Sequence, residues 1–187
     1  MTLRSSGIRK ALRVMLAGTL VLWPGVPGAQ EVSIPAIKAA FLINFVKFAE
    51  WPEDSLSART FTFCISGDRA VFDALQLGVK QRPQHSPVDV AYLTPEGSFQ
   101  GCHLLYLGGV NGGEWRRALH LVGNAPVFTA SDARGFAEGG GIAELTLEGG
   151  RMRFNINTAA AQRAHIALSA KLLNLATLVK ERPHDGR

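Results

Sequence analysis

The segment of the sequence that most resembles a catalytic motif is a glycine-rich stretch between a predicted strand and a predicted helix. Four glycines surround Asn111 there: Gly108, Gly109, Gly112 and Gly113. Loops of this kind can direct backbone N–H groups at a phosphate. The spacing matches neither the dinucleotide-binding pattern nor the phosphate loop with its lysine. The sequence therefore favours a plain connection, and a hydrolase that uses this loop is only a third alternative for the function.

The titratable side chains form no recognisable metal or nucleophile motif. Five histidines stand singly at positions 85, 103, 120, 165 and 184, without the spacing that places two imidazoles on one metal. No serine lies in a nucleophile elbow. Cys102 and His103 are a nucleophile and a base side by side, but adjacent residues of a strand point to opposite faces. The sequence thus predicts no catalytic residue, metal or cofactor, and we expect a protein that is not an enzyme.

The two cysteines of the chain, Cys64 and Cys102, have another use. In an oxidising compartment two cysteines permit one pairing, and closing a loop of this size would stabilise the fold by roughly 4 kcal/mol. Two buried free thiols or a metal pair are the alternatives, although no histidine or further cysteine stands at ligand spacing. We expect a structural Cys64–Cys102 disulfide.

The positive charge of the chain is concentrated at its N-terminus. The sequence has 187 residues, with 20 Lys and Arg against 15 Asp and Glu, a formal charge of +5. Four of the basic residues and none of the acidic ones lie in the first 29 positions. Residues 30–187 are therefore almost neutral. A domain with so little net charge has no electrostatic footprint for nucleic acid.

Those first 29 residues have the organisation of a secretory signal peptide. A basic start is followed by the apolar run Val14–Trp23 and then by the turn-prone segment Pro24–Gln30. The apolar run is shorter than the roughly 20 residues that span a membrane. We expect cleavage between residues 25 and 30, which leaves residues 30–187 as one domain in a Gram-negative periplasm. An uncleaved anchor is the alternative.

The mature chain alternates predicted strands and helices. The apolar pattern predicts strands at 59–66, 88–93, 103–107, 126–130, 142–147 and 151–157, and helices at 33–50, 70–77, 114–121 and 158–180. The first helix is apolar on two flanks, which its own sheet or a partner would cover. The last helix would carry its apolar residues on one face: Ala161, Ala164, Leu168, Leu172, Leu175 and Val179. We expect an α/β single domain with a mixed β-sheet of about six strands flanked by helices, parallel in the βα units and antiparallel at the hairpin edge.

Six segments carry a resemblance that runs along the mature chain. They are residues 37–52 (IKAAFLINFVKFAEWP), 63–68 (FCISGD), 102–107 (CHLLYL), Phe136 with Gly139–Gly140, 150–157 (GRMRFNIN) and 169–176 (SAKLLNLA). In this order they resemble the YfiR family of periplasmic proteins. The resemblance implies a commonly homodimeric α/β protein without known catalysis, which represses an inner-membrane diguanylate cyclase by binding its periplasmic portion. Relief of repression would raise cyclic-di-GMP and favour biofilm formation.

The resemblance also implies a further partner, and the chain departs from the family in two respects. In the family an outer-membrane OmpA-like lipoprotein removes the repressor from the cyclase. The Cys64–Cys102 bridge carries over, whereas the second disulfide of some members has no cysteines here. His165 and Ile166 stand where a Gly-Leu pair is expected.

The sequence places partner contacts on the exposed parts of the hairpin and the last helix, and near the end of the first helix. The residues concerned are Arg153, His165, Ile166, Leu168, Phe48 and Trp51. A second interpretation is a periplasmic small-molecule sensor, or an accessory binding protein of a histidine kinase or transporter.

Overall fold

The structure, a computed structural model, describes residues 33–56, 60–81, 87–94 and 97–182. The predicted signal peptide, residues 1–29, lies outside the described residues. All of the described residues fall within one compact unit, Val32–Arg187. Within the described ranges no helix is both long and apolar enough to cross a membrane.

Strands and helices alternate up to residue 131, after which a hairpin and several short elements follow. The helices are α1 (Ile34–Lys47), α2 (Arg69–Lys80), α3 (Gly112–Val122), α4 (Thr158–Arg163) and α5 (Ala170–Leu173), with a 3₁₀ turn at Glu53–Leu56. The strands are β1 (Ala49–Glu50), β2 (Phe61–Ser66), β3 (Val88–Leu93), β4 (Leu104–Leu107), β5 (Phe128–Ser131), β6 (Ala143–Glu148), β7 (Arg151–Ile156), β8 (Ala167–Leu168) and β9 (Thr177–Leu178).

Seven of these strands form the main sheet, in the order β3-β2-β4-β5-β6-β7-β9. All neighbours from β3 to β6 are parallel, β6 and β7 form an antiparallel hairpin, and β9 adds in parallel to β7. Gly149 and Gly150 have φ of 54° and 75°, the positive values that a two-residue hairpin turn requires. The predicted α/β class and mixed sheet are confirmed. The edge beside the hairpin is β9, however, which the sequence did not predict.

Helix α1 begins at the predicted cap and ends three residues before the predicted end. The Ser33 hydroxyl accepts a hydrogen bond from the Ala36 N–H. The helix stops at Lys47 because the next residues pair as strand β1 with β8. Its second apolar flank is covered within the chain, since Leu42 is fully buried and Ile43 is 5 % exposed.

The predicted helix over residues 158–180 is wrong. Helix α4 ends at Arg163, and His165 adopts the left-handed conformation with φ of 54°. The Ile166 N–H donates to the Ala161 carbonyl at 2.9 Å, and the His165 N–H donates to the Gln162 carbonyl at 3.0 Å. This pair of hydrogen bonds is the Schellman ending of a helix. The chain then continues as β8, α5 and β9.

The apolar residues assigned to one face of that long helix therefore have different environments. Leu172 is buried and Leu168 half-buried, whereas Leu175 is 69 % exposed. Pairing of β8 with β1 and of β9 with β7 replaces helical hydrogen bonds in this segment. Tertiary pairing thus overrides a helical pattern that local propensity alone supports.

Separate apolar clusters cover the two faces of the main sheet. On the α1 and α2 face, Phe45 stacks on Phe128 and meets Phe154 edge-on, each at 5.3 Å between ring centroids. On the α3 face, Trp115 meets Phe136 edge-on at 5.5 Å. Because burial of apolar surface stabilises the fold, the clusters on the two faces hold the polar groups around the sheet in fixed positions.

Candidate partner-binding surface

A two-stranded ribbon brings the end of α1 beside the segment that follows α4. In this ribbon β1 and β8 are antiparallel, with Ala49 opposite Leu168 and Glu50 opposite Ala167. The Ser169 N–H extends the pairing by donating to the Phe48 carbonyl at 2.9 Å. We call residues 48–51 together with residues 165–171 the ribbon surface. It contains five of the six predicted contact residues.

Three apolar residues of the ribbon surface each contact both the core and the solvent. Phe48, Trp51 and Leu168 are half-buried and pack against the core of the α1 face. The ammonium group of Lys171 lies 5.4 Å from the centre of the Phe48 ring, within the range of a cation–π contact. Exposed polar neighbours and half-buried apolar groups together form the kind of surface that a protein partner covers.

Of the other predicted contact residues, Ile166 differs from the expectation, whereas Arg153 is exposed on the hairpin where the sequence placed it. Ile166 is only 3 % exposed, because it follows the left-handed His165 and points into the core, so its side chain is not available to a partner. Arg153 lies on β7 of the hairpin, outside the ribbon surface, and its guanidinium is 3.5 Å from the Glu148 carboxylate. Both side chains of that ion pair are more than half exposed. His165 itself is exposed.

His103 connects the base of the ribbon surface to the main sheet. The Thr62 N–H donates to His103 Nδ1 at 3.0 Å, so Nδ1 is an acceptor and Nε2 donates to the Ser55 carbonyl at 3.1 Å. The indole N–H of Trp51 donates to the His103 carbonyl at 3.1 Å. The sequence predicted His103 as the first residue of the strand over residues 103–107. In the structure it is 5 % exposed and directly precedes β4, and both of its ring nitrogens are hydrogen-bonded.

The disulfide pairs Cys64 of β2 with Cys102, two residues before β4. The two Cα atoms are 5.7 Å apart, within the usual range for a disulfide. Both half-cystines are buried in the cluster of the α3 face. The predicted bridge is present, and Cys102 in this state has no thiol that could act as a nucleophile.

The first N–H groups of α3, beside the glycine-rich loop, already have hydrogen-bond partners within the chain. The Asn111 carboxamide oxygen accepts from the N–H groups of Gly113 and Glu114, at 2.9 and 3.1 Å. The Glu114 carboxylate in turn accepts from the Asn111 N–H at 2.7 Å, which completes a capping box. A carboxylate at this position repels phosphate. The loop is therefore a connection, as the sequence favoured.

The sequence did not reveal an ion cluster at the carboxyl ends of the parallel strands. The Lys38 ammonium lies 2.5 Å from the Asp132 carboxylate and 3.4 Å from that of Asp68. Lys38 is on α1, whereas the two aspartates follow β2 and β5. The side chains are 13 %, 26 % and 21 % exposed, so solvent screens them only in part. The cluster fixes the first turns of α1 against the sheet.

Tyr106 lies beneath this cluster in the core. Its side chain is fully buried, and its hydroxyl has no hydrogen-bond partner among the described residues. Burial, followed by the negative charges of Asp132 and Asp68, raises the pKa of Tyr106 far above its ordinary value. A Cβ at Gly108 would lie 2.6 Å from the Tyr106 ring and from the Asp68 Cβ, so only glycine fits there.

Comparison with known proteins assigns these features to a family. The model of the YfiR/HmsC-like family matches residues 35–177, well over half of the chain. The chain belongs to the YfiR/HmsC-like family. A search of the curated proteins found no match.

The YfiR/HmsC-like match covers the surfaces described above. It runs from the first turn of α1 to β9 and so includes the ribbon surface, the disulfide and the Lys38 cluster. Proteins of the YfiR/HmsC-like family are periplasmic and regulatory rather than catalytic. Within residues 33–56, 60–81, 87–94 and 97–182, no three His, Cys, Asp or Glu side chains are grouped so that they could hold a metal ion.

Proposed function

We propose that this protein is a periplasmic regulator that binds the periplasmic portion of an inner-membrane diguanylate cyclase and keeps the enzyme inactive. The observation that carries the proposal is the YfiR/HmsC-like match over residues 35–177. In this role the protein lowers cyclic-di-GMP and restrains biofilm formation. The signal peptide at residues 1–29 takes it to the compartment where the cyclase presents its periplasmic portion.

Repression of this kind couples binding of the regulator to the equilibrium between the active and inactive conformations of the cyclase. The regulator must bind the inactive conformation of the cyclase more tightly than the active one, because equal affinity for both would change nothing. An outer-membrane OmpA-like lipoprotein would relieve repression by competing for the same or a linked surface. In this proposal the regulator acts as a homodimer.

The ribbon surface is the contact that we assign to the cyclase. It combines half-buried apolar groups, Phe48, Trp51 and Leu168, with exposed charges on Glu50 and Lys171. An interface centre of partly apolar side chains with a charged rim is typical of protein contacts. Of these residues, Trp51 also holds His103 in place, so Phe48 and Lys171 are better probes of binding.

The experiment is a pulldown from membranes solubilised in mild detergent. The exported wild-type protein is expected to recover a membrane protein with a diguanylate cyclase output domain. The variant Lys171→Glu should recover much less, because it places a negative charge beside the Phe48 ring. Arg117→Glu, an equivalent charge change on the exposed side of α3, is the matched control and should behave as the wild type. Recovery of no such cyclase by the wild type would contradict the proposal.

A further inference from the structure

The hairpin of β6 and β7 extends past the end of the neighbouring strand β5. The pairing of β5 with β6 covers two positions and stops where Ser131 faces Glu144. Strand β6 continues for four more residues, to Glu148. Among the described residues no strand lies beside Leu145–Glu148 on the β5 side. This part of β6 is an open strand edge.

The direction of the backbone groups along this edge follows from the hairpin. The Asn157 N–H donates to the Ile142 carbonyl at 2.9 Å, and hydrogen-bonded positions alternate along an antiparallel pair. The even-numbered residues of β6 therefore bond to β7, and the odd-numbered residues direct their N–H and C=O groups to the β5 side. For Leu147, which lies beyond the end of β5, that side carries no paired strand within the described part of the chain.

A cavity of about 420 Å³ runs along the same edge. It is lined by side chains from both faces of β6, with Leu145 and Leu147 on one face and Thr146 and Glu148 on the other. A cavity over one face of a sheet would be lined by only one of these sets. The cavity therefore follows the strand edge, and we call it the edge groove. Its walls are formed by Ile34, Lys38, Asp132 and Arg134, and Glu144 of β6 and Met152 of β7 also line it.

The chemistry of the edge groove fits an extended polypeptide. Four residues of a strand offer roughly 13 Å of backbone, and a peptide that adds to an open edge gains main-chain hydrogen bonds and places alternate side chains in pockets. Leu147 and Ile34 supply apolar contacts, being 53 % and 41 % exposed. The open segment, Leu-Thr-Leu-Glu, contains no lysine or proline, the residues that commonly protect a free edge.

We infer that the edge groove binds an extended segment of the periplasmic portion of the cyclase, which adds to β6 as a further strand beside Leu147. The inference rests on the proposed function. Lysine, arginine and acidic side chains all lie on the walls, so the edge groove selects an extended backbone with apolar side chains rather than a strongly charged peptide. Helix α1 connects this site to the ribbon surface, because Ile34 begins α1 and Phe48 follows its end, about 20 Å away.

Proline substitution tests this inference at the level of one N–H group. Leu147→Pro removes an N–H that faces the edge groove and leaves the hairpin hydrogen bonds intact. Tyr92 lies on β3, an edge strand at the other end of the sheet, and is 40 % exposed. The Phe61 N–H donates to the Pro87 carbonyl, so the odd-numbered residues of β3 bond to β2 and the Tyr92 N–H faces away from the sheet. Tyr92→Pro is therefore a matched control, with the same chemical change at a strand edge outside the groove.

The binding partners in the assay are the purified periplasmic domains of the inner-membrane diguanylate cyclases of the source organism. Wild-type protein should bind one of them, Leu147→Pro should bind it at least ten-fold more weakly, and Tyr92→Pro should stay within about three-fold of the wild type. Hydrogen exchange at the Leu147 amide of the wild-type protein should slow on binding. If Leu147→Pro does not fold, hydrogen exchange at the Leu147 amide of the wild-type protein tests the inference by itself.

Several results would overturn the inference. Unchanged affinity of Leu147→Pro, or an equal loss in Tyr92→Pro, would show that the edge groove is not the contact. Protection of the Leu147 amide that rises with the concentration of the protein alone would assign the groove to a second copy of this chain. A wild-type protein that binds none of the cyclase domains would contradict the proposed function, and with it the occupant named here.

Discussion

Removal of the disulfide should lower the free energy of unfolding. Comparison of oxidising with reducing conditions should separate the contribution of the cross-link from that of the packed sulfur atoms. Cys64 and Cys102 are 38 residues apart, and closing a loop of that length stabilises the folded state by about 4 kcal/mol in the chain-entropy model. Both side chains are also buried, so replacing one sulfur by hydrogen leaves a small cavity that costs about 1 kcal/mol. Under oxidising conditions Cys64→Ala should therefore lose about 5 kcal/mol of unfolding free energy.

Thermal and urea unfolding of the mature protein, followed by circular dichroism, measure this loss. For a domain of this size each kcal/mol shifts the melting temperature by about 2 to 4 °C, so the oxidised variant should melt about 10 to 20 °C below the wild type. With excess dithiothreitol, which opens the bridge in both proteins, the difference should shrink to the packing cost alone. Equal losses in both conditions would refute the entropic account and show that the sulfur atoms act only by packing.

Three further predictions concern the stability of the fold. His165→Gly should raise the unfolding free energy by about 0.5 to 1 kcal/mol in urea titration, because glycine adopts positive φ without strain, whereas His165→Ala should give no gain. In absorbance titration to pH 12 the folded protein should not ionise Tyr106. Since the pKa of Tyr106 is raised on folding, its contribution to stability is complete below about pH 10 and is lost at higher pH. Lys38→Met should cost about 2 kcal/mol by leaving two carboxylates unneutralised, and adding Asp132→Asn should restore part of that loss.

The parallel half of the sheet could be predicted from the sequence because its signals are local. The strand predicted over residues 88–93 has those bounds in the structure, and Asp68 and Asn111 cap α2 and α3 where the chain turns from strand to helix. The hairpin also follows from local signals, two strands separated by Gly149 and Gly150. The caps and the hairpin turn bond to residues a few positions away, and the parallel strands are marked by their own apolar runs even though their partners are distant in sequence.

The C-terminal segment could not be predicted because distant pairing determines it. Residues 167–168 and 177–178 form strands only because β1 and β7 lie beside them. The sequence did show that His165 stands where glycine is expected, and the left-handed conformation at that position supplies the physical reason. That departure marks the end of helix α4.

The candidate site was predictable only in part. The end of α1 and the segment around Leu168 meet in the ribbon surface, but the burial of Ile166 follows from the chain reversal after α4. The Lys38 cluster joins residues 30 and 94 positions apart, a combination without any spacing signal. The open edge of β6 depends on the relative lengths of two strands, which apolar patterns do not fix to within a residue.

The most direct test of the proposed function is the cyclic-di-GMP content of cells, measured by mass spectrometry. Three strains are compared: the wild type, a strain that lacks the gene, and that strain with the exported protein restored. We expect the cyclic-di-GMP content to rise on deletion of the gene and to return to the wild-type level on restoration. The rise should be lost when the partner cyclase is also deleted. An unchanged cyclic-di-GMP content in the deletion strain, under conditions where the wild type makes the protein, would contradict the assignment.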